Sequence, residues 1–70
     1  MNEFEELKVK GYANTARAYL EKPKLDSKEK DLLEDIFYNL YEIQDKLLSA
    51  EVKKLRLNIL EKIALKRRIV

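Results

Sequence analysis

The chain has no cysteine, no histidine and no tryptophan, and only one glycine, Gly11, and one proline, Pro23. Each shortage excludes something. Without cysteine there is no disulfide, and without cysteine or histidine the usual ligands of structural zinc are missing. The same two absences remove the commonest general acid–base group and the most reactive nucleophile. One glycine cannot build a glycine-rich phosphate loop, and a strand-rich fold needs turn chemistry far more often than Gly11 and Pro23 supply it. No stretch approaches the roughly 20 apolar residues of a membrane span. The opening MNEFEELK is acidic where a secretory leader is basic and then apolar. The expectation is a cytoplasmic protein without a membrane segment, a cofactor, a metal or a catalytic residue.

What is present suits amphipathic helices. Hydrophobic residues make up 46% of the 70 positions and charged residues 40%, enough for apolar stripes with charge over the remaining surface. Seventy residues form one domain, and a chain of this size buries only about 60% of its unfolded surface. Its stability therefore rests on regular helix packing or on self-association. Abundant Lys, Glu, Leu and Ile, with Met1 the only methionine, give a thermophile-like composition of the kind found in hyperthermophiles, archaeal ones among them.

Apolar spacing predicts three helices, at about residues 2–22, 27–48 and 50–68. In the first, Phe4, Val9, Tyr12, Ala13, Ala16, Tyr19 and Leu20 fall roughly on one face. Gly11 is a place where it could kink or split, and Pro23 ends it. Asp26 followed by Glu29 has capping-box spacing and opens the second helix, in which Leu33, Ile36, Leu40, Ile43 and Leu47 step by three and four. The third repeats the pattern with Val52, Leu55, Ile59, Leu60, Ile63 and Ala64. The fold class is all-α, a small three-helix bundle. One alternative stays open, because the junction Leu47 to Glu51 holds neither Gly nor Pro and a second seam runs through it from Phe37 to Ile63. A helical hairpin with one long C-terminal helix, about 60 Å from Ser27 to Arg68, would have to be dimeric to cover its apolar face.

Charge is segregated along the chain. Residues 26–45 carry seven acidic groups against two lysines, a balance of −5, and residues 51–70 carry seven basic groups against two glutamates, +5. The plain reading is complementation of helix dipoles and ion pairing between antiparallel neighbours. The sharper one makes Lys62, Lys66, Arg67 and Arg68 a weak, salt-sensitive nucleic-acid contact. Paired carboxylates such as Asp31 with Asp35, or Glu34 with Glu42, read as a solvated face. Tyr38 fits the apolar seam worst of all the aromatics, since Asp31, Glu34 and Glu42 flank it at helical spacing. With Tyr41, Leu48 and Val52 it completes the set of candidate partner-interface residues.

The run from Asp31 to Arg68 resembles the helical domain of archaeal GINS replication proteins. The resemblance rests on an amphipathic helix leading to a basic stretch, L-R-x-x-x-I-x-x-x-A-L, echoed by Leu55, Arg56, Ile59 or Leu60, Ile63, Ala64 and Leu65. It covers about half the chain and implies an accessory subunit of a DNA replication or other nucleoprotein assembly, one that binds protein partners. The leading functional expectation is thus a non-enzymatic helical interaction module with a protein partner or a second copy of itself. Weak nucleic-acid binding by the basic C-terminal helix is the alternative.

Overall fold

Asn2 stands in extended backbone, and its side-chain oxygen accepts from the Glu5 amide at 3.2 Å, satisfying one of the free donors that every helix start leaves. In the computed structural model, which describes residues 2–67, this cap opens α1, Glu3–Leu20, with Glu3, Glu5 and Glu6 at the positive end of its dipole. The helix runs through Gly11 unbroken and stops short of Pro23. Its buried face is narrow and small: Val9, Ala13 and Ala16, edged by the half-buried Tyr12, Tyr19 and Leu20. Phe4 belongs instead to the exposed side, because at its spacing from Val9 it falls on the far side of the helix.

The second helix, α2, spans Ser27–Tyr41. Asp26 accepts from the Glu29 amide at 2.8 Å while the Glu29 carboxylate accepts from the Asp26 amide at 3.0 Å, so the capping box is complete in both directions. Leu33, Ile36 and Leu40 fill the core, and Ile43 follows just past the helix end. The third helix, α3, spans Ala50–Arg67 and buries Val52, Ile59 and Ile63.

Helix α2 ends seven residues before the expected Leu48, and the chain turns back over residues 42–49 through a short 3-10 turn at Asp45–Leu47. No glycine or proline is needed, because polar groups from elsewhere satisfy the exposed backbone. The Asn2 amide donates to the Leu47 carbonyl at 2.8 Å, and the Ser49 amide donates to the Glu6 carboxylate at 2.5 Å. Ser49 also caps α3, its hydroxyl accepting from the Val52 amide at 3.4 Å. From α3, the Arg56 guanidinium donates to the carbonyls of Leu40 and Ile43 and pairs with Asp45. The long-helix alternative therefore gives way to a bundle of three helices, each touching the other two.

Two ends define its topology. Asn2 and Glu6 meet Leu47 and Ser49 at the start of α3, and Lys66 at the end of α3 donates to the Lys22 carbonyl just past α1. Helices α1 and α3 thus run in parallel, with α2 antiparallel to both. The core holds no polar or charged residue among those described, and Val9, Leu33, Leu40, Ile59 and Ile63 are its fully buried members of largest size.

Candidate interaction surface

The expected ion pairing between antiparallel helices accounts for part of the segregated charge. Arg67, late in α3, pairs with Glu34, midway along α2, and Arg56 pairs with Asp45 of the turn at the opposite end. Lys22 pairs with Glu29 beside the capping box. That contact holds the Glu29 carboxyl below its ordinary range, the Lys22 hydrogen bond acting first and the Asp26 amide second, and it raises Lys22. Glu6 is likewise held low, chiefly by the backbone amide of Ser49.

The basic candidates are consequently not a free cluster. Lys62 is exposed, but Lys66 is tied to the Lys22 carbonyl and Arg67 is largely buried against Glu34. Arg68 lies outside the described residues. Among those residues no group of three or more acidic side chains is placed to share a cation. Glu34, one of the paired carboxylates, is the acceptor for Arg67.

The interface candidates divide. Leu48 and Val52 retain only 3% exposure each and belong to the core, because the turn at residues 42–49 folds Leu48 inward and Val52 begins the buried stripe of α3. They present nothing to a partner. Tyr38 and Tyr41 remain outside, 50% and 69% exposed. Phe37 underlies both: its ring meets Tyr38 edge to face at 5.3 Å and stacks on Tyr41 at 6.2 Å. Phe37 is half-buried against the core, so the two tyrosines are mounted on a fixed base rather than waving free. Beside Tyr41 lies an open depression of about 540 Å³, bordered by Glu42, Gln44, Asp45, Lys46 and Arg56. The site is an aromatic edge with acidic and basic neighbours. Its chemistry is adhesive, offering flat apolar area, two phenolic hydroxyls and a polar surround of balanced charge.

Two residues that composition counted only as charge have positional roles. Arg56 interrupts the buried series Val52, Ile59, Ile63, and Glu6 continues Val9, Ala13, Ala16 one step toward the helix start, both at the end of the bundle where the chain turns. A charged residue on a buried stripe was the available signal, and each satisfies backbone groups of residues 40–49.

Comparison with protein-family models, with curated proteins and with solved structures finds no match to this chain.

Proposed function

We propose that the chain is a small non-enzymatic interaction module that docks a protein partner on the aromatic edge of α2. The observation that carries the reading is the pair Tyr38 and Tyr41, half or more exposed yet held by Phe37. Two of the chain's four tyrosines, Tyr12 and Tyr19, are spent on packing, and these two are not. Rigid aromatic side chains lose little conformational freedom on binding, which is why they anchor interfaces. Beside Tyr41 the acidic Glu42 and Asp45 are matched by Lys46 and Arg56, so a partner with an apolar or aromatic pocket and a polar rim fits the edge, and the tyrosines carry the affinity.

The replication-accessory role implied by the GINS resemblance is one form of this reading, but the residues behind the resemblance already have work inside the bundle. Ile59 and Ile63 are core, Leu55 and Leu60 pack on it, and Arg56 caps α2. Nucleic-acid binding draws less support than protein binding, since Lys66 and Arg67 are engaged within the chain.

The test is affinity capture from the source cell with the wild type, with Tyr38→Ala/Tyr41→Ala and with Lys62→Glu/Lys66→Glu, all checked for helical content. The expected outcome is a protein lost with the tyrosine pair and kept with the lysine pair. Truncating two anchors costs about 2 kcal/mol or more, roughly 30-fold in Kd. A partner retained by the tyrosine variant, or nucleic acid lost with the lysine variant, contradicts the reading.

A further inference from the structure

Helix α1 carries two seams, and the bundle uses one. Opposite the buried stripe, Phe4, Leu7, Gly11, Asn14 and Ala18 recur at alternating steps of three and four, all exposed and none charged. In a chain with 40% charged residues an uncharged stripe along about four turns of one helix is unusual, and its first two members are large, Phe4 68% and Leu7 63% exposed. Gly11 adds an independent observation. The helix continues through it, and a Cβ built there would meet nothing within 4 Å, so no contact inside the chain requires the missing side chain. A glycine weakens the helix it interrupts, and what it offers in return is close approach by another backbone.

The geometry points to a second copy of this chain as the occupant, with the two α1 helices packed antiparallel about a twofold axis near Val9. That register sets Leu7 over the partner's Gly11 and Phe4 over the partner's Asn14, and symmetry repeats each contact, large against small throughout. A parallel pairing would set Phe4 on Phe4 and Gly11 on Gly11, wedging one end apart and leaving the other empty. Charge distinguishes between the antiparallel registers. On the flank of the stripe Glu3 faces the partner's Arg17 in two symmetric pairs, whereas the neighbouring antiparallel register would face Lys10 with the partner's Arg17. Of the two lysines near the axis, Lys8 is already paired with Glu5 at 3.7 Å, leaving Lys10 as the one opposing charge. One helix face per copy, about 27 Å long, places the contact at the small end of specific interfaces, so the dimer is weak and concentration-dependent.

Sedimentation equilibrium from about 10 µM to about 1 mM tests it, a range that covers micromolar to millimolar constants. The wild type is expected to shift from one chain to two across the range. Leu7→Glu and Gly11→Leu are each expected to weaken association roughly tenfold or more, with helical content kept. Glu3→Arg and Arg17→Glu should each weaken it alone and recover it when mixed in equal amounts, a rescue that the antiparallel register provides and the parallel one does not. A wild type that stays a single chain at about 1 mM overturns the proposal. So does a Gly11→Leu variant that melts higher while associating as before, a mixture that fails to recover, or association lost on Tyr38→Ala instead.

Discussion

Replacing Arg56 isolates the interaction that ends α2. The side chain is 13% exposed and donates to the carbonyls of Leu40 and Ile43, while its ion-pair partner Asp45 is 65% exposed. Arg56→Met keeps most of the aliphatic stem and so most of its packing; the Leu40 carbonyl still accepts from the Ile43 amide at 3.3 Å, but the Ile43 carbonyl loses its donor. An unsatisfied buried acceptor costs about 1–3 kcal/mol, water entering from the adjacent depression recovers part of that, and loss of the second, charge-assisted bond to Leu40 adds to it, so the substitution should cost about 2–3 kcal/mol in all. For a domain of this size each kcal/mol lowers Tm by about 4–8 °C, so the variant is expected to melt roughly 10–20 °C below the wild type. Arg56→Lys, whose single ammonium cannot serve two carbonyls and a carboxylate together, should lose about half as much. Asp45→Asn removes only an exposed partner and should cost under about 1 kcal/mol. Thermal unfolding followed by circular dichroism measures all three. If Arg56→Met melts within about 3 °C of the wild type, or Asp45→Asn costs as much as Arg56→Met, the guanidinium is not what holds the turn.

Four further outcomes are expected. Leu33→Ala, at a fully buried position touching the other helices' core, should destabilise by about 2–5 kcal/mol in denaturant titration, whereas Leu57→Ala on the exposed face of α3 should fall within about 0.5 kcal/mol of wild type. Acid should destabilise the chain through Glu6 and Glu29: their folded pKa values lie below the ordinary 4.5, so their contribution is present above that pH and is lost as pH falls through the lowered values. Glu6→Gln should make the melting temperature less dependent on pH below about 4.5, and an unchanged acid profile would count against the Ser49 contact. Lys22 is raised above 10.5, so its contribution is complete below that pH and is lost as pH rises through the higher folded value; Lys22→Met should flatten stability in that alkaline range. The thermophile-like composition leads to a melting temperature above the mesophile range, and cooperative unfolding below about 65 °C would speak against it.

The all-α bundle was legible because its signals are local and repeated. Asp26 and Glu29 announce a helix start by themselves, and Leu33, Ile36, Leu40 mark a buried stripe without reference to anything distant. The end of α2 was not legible by the same means. From Phe37 to Ile63 the apolar register continues unbroken, and the groups that stop the helix arrive from Asn2, Glu6 and Arg56, none of them near Tyr41 in sequence. Misplacing that boundary turned Leu48 and Val52, two core residues, into interface candidates. Tyr38 stood out correctly as exposed because acidic residues surround it at helical spacing, a local cue again. Ion pairing between antiparallel neighbours was legible in the segregated charge, but not which residues pair: Arg67 meets Glu34 of α2 and Arg56 meets Asp45 of the turn, while Lys62 stays exposed. Phe4 and Gly11 carried the opposite error. Phe4 was read on the inward face of α1 and Gly11 as a place for a kink, and both lie on the outer face of an unbroken helix.

The turn at residues 42–49 decides whether Tyr38 and Tyr41 sit on a closed bundle or on an open helix, so a distance across it is the most direct measurement. The chain has no cysteine, and Asp31→Cys/Lys66→Cys therefore places two spin labels at exposed sites with no background. Pulsed dipolar spectroscopy on dilute protein is expected to give one distance within roughly 20 Å, about two helix diameters, because Glu34 and Arg67 are in contact one turn or less from the labels. A single continuous helix would separate the same two positions by about 52 Å at 1.5 Å per residue. A distribution centred there would contradict the bundle, and with it the aromatic edge as described.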